Sequence, residues 1–353
     1  MGTVTNGLVC AHHHLYSSLA RGMPAPPETP VDFISILRNV WWRLDAALDL
    51  DIIRWSAAMG AAEALLAGTT AIIDHHESPS AIEGSLDAIR EGCEMVGVRH
   101  SLCYGVTDRW TSGGMTENVS PGSGMTDGAR RGLAENERYL RSGGRGMVGV
   151  HAAFTCSDET LEAAAGLASD LGTGVHIHVA EGPADADAGE RLSGLAGDNW
   201  LLVHCVNLRG DLPGTIAHNP RSNMNNAVGY ARPADRPNTV VLGTDGIGAD
   251  MLDEARLAYV CQRNDDVTST PETAWNWLAN GETLFPEVAG DRVEWSYDHT
   301  DSPWHAAFTT SVKAVNVTVD GTMLVKNGAP TGFDMDEIRC KAAEAAARLH
   351  ARL

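Results

Sequence analysis

Imidazole and carboxylate side chains recur at the downstream ends of short apolar runs: His12 and His14 in AHHHLYS, His178 and Glu181 in HIHVAE, and Asp245 in VVLGTDG. These are the groups that hold a divalent metal while leaving one position open for water. In an extended strand residues i and i+2 point the same way, so His12 and His14 can chelate one ion while His13 faces elsewhere as a structural or rim residue. His178 offers a strand-end imidazole, and Glu181 just after it offers a carboxylate able to carry protons. His176 shares a strand face with His178 and is an alternative ligand. Asp245 has glycines on both sides, which permits close approach to a site; its competing reading is a turn or N-cap residue. His75, His151 and His218 also close apolar runs; His75 and the adjacent His76 suit substrate contact and structural hydrogen bonds equally, and His218 is read as substrate-facing. Asn219, Ser222 and Asn223 are read as setting the loop that carries His218, and Trp41 and Trp42 as core.

Residues so far apart in sequence converge only if the elements carrying them end at one face. Short apolar, β-branched runs alternate with helical patterns, which is the signature of repeated βα units. Strands are expected at Leu8–His12, Thr70–Asp74, His100–Tyr104, Met147–His151, Gly174–His178, Trp200–His204, Thr215–His218 and Val240–Asp245. Helical spacing covers Leu50–Leu66, Ala81–Val96, Asp127–Leu140 and Glu159–Leu171, with Asp158 as N-cap of the last, and Thr111–Thr126 reads as a loop over a face. Eight such units predict a (β/α)8 barrel of the TIM type, whose catalytic face is the C-terminal end of its strands. The expected division is a barrel over 1–290 and, over 291–353, a reduced appendage: strands at Val312–Val319 and Thr322–Val325 and a helix from about Met335.

The 353 residues can bury a sizeable core, and no apolar run is long enough to cross a membrane. Without a signal-peptide pattern the expected location is cytoplasmic. A net charge of -20 repels nucleic acid and anionic membranes, so neither is an expected partner. The 7 cysteines lack CxxC pairs, which excludes a zinc ribbon and a disulfide framework.

In this order, GLVCAHHHLYS, LLAGTTAIIDHHESP, GVHIHVAE, LLVHC, IAHNPRSNMNNAVGY and VLGTDGIGADM resemble the deaminase-type branch of the amidohydrolase superfamily. The similarity is greatest to its SsnA-type aminohydrolases, also labelled chlorohydrolases, and DFISILRNVWWRLDAALD is among its most specific parts. The resemblance implies a barrel hydrolase with one zinc or iron ion on His12, His14, His178 and Asp245. It also implies Glu181 as proton shuttle, His204 as the histidine that orients water with Asp245, and His151 as a substrate contact. Binuclear relatives bridge their metals with a barrel-strand lysine; here every lysine lies beyond residue 312, so one metal is expected. The implied reaction is hydrolytic deamination of a small nitrogen heterocycle with release of ammonia. Dechlorination or dealkylamination of a triazine-like ring, and an inactive chain with a structural role, are the alternatives.

Relatives carry a longer segment ahead of the HxH strand, part of a β-sandwich completed by C-terminal strands. Here HxH begins at residue 12, so a half-sandwich is expected to be missing. Asn207–Gly214 is too short for a crossover helix, and Phe285–Thr300 reads as abbreviated. Unpaired edges on the hairpin at Val312–Val325 then predict a homodimer or larger assembly.

Overall fold

The computed structural model describes residues 2–111, 124–246 and 248–353, and the backbone of 114 and 115. Most of the Thr111–Thr126 segment read as a loop therefore lies outside the described residues. Eight parallel strands run at Leu8–His14, Thr69–His76, Arg99–Tyr104, Val148–Ala152, Val175–Val179, Leu201–His204, Thr215–His218 and Val240–Leu242, the last resuming at Asp245–Gly246. Each pairs with the next, the third and fourth through the bridges Leu102–Gly146 and Val106–Val150. The eighth returns to the first, with Asp245 opposite His13 and Gly246 opposite His14. The ring is closed, so this is a TIM-type barrel.

Closure between the eighth and first strands depends on a glycine. A Cβ on Gly243 would lie 2.8 Å from the His12 backbone nitrogen and 2.4 Å from Asn219 Oδ1. Inside the ring, Val9, Ala11, Ala71, Ile73, Leu201, Val203, Ala217 and Val241 pack together, while the opposite strand faces pack on the surrounding helices. The helices match the apolar periodicity: Leu50–Leu66, Ser85–Val96, Asp127–Arg141 and Asp158–Asp170. The cap of the last is Ser157 rather than Asp158, because the serine hydroxyl accepts from the Thr160 backbone nitrogen. Between the sixth and seventh strands no helix forms, as the shortness of that connection predicts.

A second, antiparallel sheet is larger than the expected hairpin. Its order is Val4–Thr5, Arg292–Trp295, Ala314–Val319, Thr322–Lys326 and Ala329–Pro330, so it draws strands from both ends of the chain. Phe285–Thr300, read as abbreviated, contains its second strand. The signal was the alternation in RVEW, which turns Val293 and Trp295 inward. Trp295 is 2% exposed, donates from Nε1 to Thr5 Oγ1 at 2.9 Å, and fills the space over Gly68, where a Cβ would lie 2.4 Å from its ring. The C-terminal helix Met335–His350 packs on Leu50–Leu66.

Candidate metal centre and substrate cavity

The first strand delivers His12 and His14, the fifth His178, the sixth His204 and the eighth Asp245. One ligand atom from each of His12, His178, His204 and Asp245 lies within 4.8 Å of the others. His14 joins them: its Nε2 is 2.9 Å from Asp245 Oδ1 and 3.3 Å from His178 Nε2. The expected quartet is thus brought together, with His204 as a fifth member.

The outer nitrogens explain why the inner ones face one another. His14 Nδ1 donates to the His75 carbonyl at 2.5 Å, and His178 Nδ1 to the His151 carbonyl at 2.7 Å. His12 Nδ1 pairs with His176 Nε2 at 2.8 Å, so His176 stands behind His12 instead of ligating. Such outer partners fix ring tautomer and orientation. They aim the inner nitrogens at the Asp245 carboxylate, a set that can hold a cation in place of the protons these groups otherwise share. Although burial opposes protonation, the Asp245 carboxylate pushes His14 up to about 9, so positive charge is drawn to this point. Burial likewise disfavours the Asp245 carboxylate, but hydrogen bonds with His12 and His14 outweigh it and hold the group well below the usual range. His204 Nε2 makes no hydrogen bond among the described residues, with Glu181 Oε2 at 3.4 Å and Asp245 Oδ2 at 3.9 Å. The donor set fits one divalent ion.

His204 and Asp245 are held with φ of 71° and 58°, in the left-handed region that non-glycine residues avoid. Such strain concentrates at functional sites and is sustained by the surrounding structure. Burial raises the Glu181 carboxyl above its ordinary pKa, against the pull of His204 and of the Asn226 amide.

A cavity of about 210 Å³ opens on this cluster, and His14, His75, His151, His178, Glu181 and Asp245 all line it. His75 reaches it from the second strand, with its Nε2 on the Val150 carbonyl at 3.0 Å, whereas His76 turns to Ser78 Oγ at 2.8 Å. His218 is the exception. It is fully buried and lines a different cavity with Asn223, Tyr230 and Cys261, so it does not reach the cavity that opens on the cluster, where it was expected. Strand alternation accounts for this, since the last residue of the short seventh strand turns out toward the Tyr230 and Trp277 rings.

Sequence reasoning missed the cavity's outer wall. Phe33, Trp41, Trp42 and Phe154 line it; Trp42 is also core as expected, 2% exposed and clustered with Phe33 and Phe154, and Trp41 packs against that cluster. Glu77 and Asp45 also reach it; Arg109 ion-pairs with Glu77 and stacks over Trp42 at 4.1 Å. The WW pair after a helix start, in the long connection following the metal-binding strand, was the available signal.

Comparison with known proteins agrees with this geometry. The chain is 28% identical over 397 residues to the 5′-deoxyadenosine deaminase of Methanopyrus kandleri, covering 97% of this chain and 86% of that protein. It is 27% identical over 392 residues to the 5-methylthioadenosine/S-adenosylhomocysteine deaminase of Syntrophomonas wolfei, with the same coverage of 97% and 86%. Among solved structures, the zinc complex of atrazine chlorohydrolase from Arthrobacter aurescens superposes with a TM-score of 0.78 at 22% identity, over 97% of this chain and 88% of that one. The description of the amidohydrolase family matches residues 3–277, and the chain belongs to that family.

Proposed function

We propose that the protein is a metal-dependent aminohydrolase that deaminates a small nitrogen heterocycle and releases ammonia. The observation that carries this reading is the placement of Glu181 Oε2 3.4 Å from His204 Nε2, beside Asp245, in the cavity that opens on the ligand cluster. His12, His14, His178 and Asp245 would hold one zinc or iron ion. When bound, the ion lowers the pKa of a coordinated water toward about 7. The remaining work falls to side chains. Asp245 and His204 orient the water and accept its proton; Glu181 gives its own proton to the ring nitrogen beside the reacting carbon and then passes the proton released by the water to the departing amine. A carboxyl whose pKa is raised by burial suits that exchange.

The substrate is a ring with a nitrogen next to the amino-bearing carbon, which includes guanine, 8-oxoguanine, isocytosine, pterins and triazines. The names of the relatives add adenosine-type nucleosides. His151 and His75 contact the ring, and Phe33, Trp41 and Phe154 supply flat apolar walls. Phosphorylated nucleotides are not expected, since the chain lacks a glycine-rich phosphate loop with a lysine. Elemental analysis followed by an ammonia-release screen over these compounds tests the reading; turnover confined to acyclic amides or to nucleotides would overturn it.

The same reading includes a homodimer. The hairpin edges expected to be unpaired are covered by Arg292–Trp295 and Ala329–Pro330, so the support is the apolar face alone, where Val4 and Met323 are 56% and 45% exposed. Sedimentation velocity at micromolar concentration is expected to give the mass of a dimer, and a monomer would reject this part.

A further inference from the structure

The segment HNPRSNMNN holds three side chains that reach back into the site from a single turn of structure. Helix Pro220–Asn225 follows the seventh strand, and Asn226 caps it. Ser222 Oγ donates to Asp245 Oδ2. Asn223 Oδ1 lies 2.7 Å from His204 Nδ1, and Asn226 Nδ2 donates to Glu181 Oε1 at 3.3 Å. Asp245, His204 and Glu181, the three groups assigned to proton handling, are therefore each gripped by one residue of the same segment. Its backbone is itself fixed: Asn223 N donates to the Asn219 carbonyl at 3.0 Å, and Arg221 N to Glu254 Oε1 at 3.0 Å.

From this arrangement we infer that Ser222, Asn223 and Asn226 form one positioning element, in which Asn223 sets His204 as the Nδ1–H tautomer and turns a bare Nε2 toward Glu181 and Asp245. With the Asn223 oxygen toward the ring, the amide accepts and the ring proton sits on Nδ1. The opposite tautomer would aim an N–H at the cluster that His204 forms with His12, His178 and Asp245, whose ligand atoms lie within 4.8 Å of one another. A bare nitrogen there can instead accept from water. Asn223 is 1% exposed and His204 fully buried, so solvent cannot substitute for the amide.

The catalytic meaning of this element rests on the proposed deaminase reading, but its test needs no substrate. Long-range proton–nitrogen NMR correlation on zinc-loaded protein with ring-labelled histidine distinguishes the tautomers, with His204 assigned by its loss in His204→Gln. Nδ1–H is expected in the wild type and in Asn223→Asp, which keeps an acceptor. In Asn223→Leu the Nδ1–H signature should vanish while zinc stays bound, because the ion is assigned to His12, His14, His178 and Asp245 and not to His204. An Nε2–H tautomer in the wild type, or an unchanged Nδ1–H tautomer in Asn223→Leu, overturns the inference. If the leucine variant does not fold, the wild-type and aspartate spectra still decide. Ammonia release from the substrate screen is read separately, so failure of one idea is distinguishable from failure of the other.

Discussion

His178 and Glu181 stand three residues apart and do different work, because the strand ends between them. His178 is anchored through Nδ1 on the His151 carbonyl and turns Nε2 into the ligand cluster, whereas Glu181 lies beyond the strand and faces His204. His178→Ala should therefore abolish retention of the metal on gentle purification. Glu181→Gln should keep the metal and lose about 10²–10⁴-fold in ammonia release, the usual scale for a positioned acid–base group. Elemental analysis beside an ammonia assay separates the two, and equal metal loss in both variants would make Glu181 a ligand. A second acid at the cavity responds to pH. Asp185 accepts from the backbone nitrogens of Phe154 at 2.8 Å and Ala180 at 2.7 Å, and burial pushes its pKa from 3.8 to about 7. An acid whose pKa is raised on folding holds its proton more tightly when folded. Its contribution is therefore full below about 4 and declines as pH rises to about 7. Asp185→Asn loses one acceptor, at a cost of about 1–3 kcal/mol. The gap in melting temperature between wild type and variant should narrow from pH 5 to pH 8; a constant gap would show that Asp185 does not titrate in this window.

At the scale of elements, the site depends on how closely the eighth strand approaches the first. Gly243 lies at that contact, and its missing side chain lets Thr244 N donate to the His12 carbonyl at 3.0 Å. An alanine Cβ would meet the His12 backbone, which cannot swing aside. Gly243→Ala should cost about 1–3 kcal/mol, as overpacking typically does, and should weaken metal binding because His12 and Asp245 are pushed apart. Thermal melting with a zinc titration checks both, and normal zinc affinity at reduced stability would uncouple the strand contact from the site.

Across the whole molecule, the barrel and the small sheet share one continuous core, in which Trp295 packs with residues of the strands and helices. Trp295→Ala removes the side chain that covers Gly68 and should cost about 3–5 kcal/mol. A single calorimetric transition at lower temperature, with metal content unchanged, is the expected result. Two separated transitions would mean that the sheet and the barrel melt independently.

All eight barrel strands, and the convergence of His12, His14, His178, Glu181 and Asp245 at one face, were legible in the sequence, because their signals are local. Apolar runs ending in a histidine or carboxylate, an HxH spacing and glycines beside Asp245 are read along the chain without knowing what packs where. Partners distant in sequence were not legible in this way. That His218 turns away from the cavity, that Trp41 and Trp42 line it, and that Ser222, Asn223 and Asn226 grip Asp245, His204 and Glu181 follow from barrel closure and strand alternation. The second strand of the small sheet, Arg292–Trp295, gains its place by pairing with Val4–Thr5 from the other end of the chain. Local periodicity specifies which face of an element is apolar; only the assembled ring specifies which polar side chain meets which, since a hydrogen bond depends on angstrom-scale distance between atoms that the sequence leaves far apart.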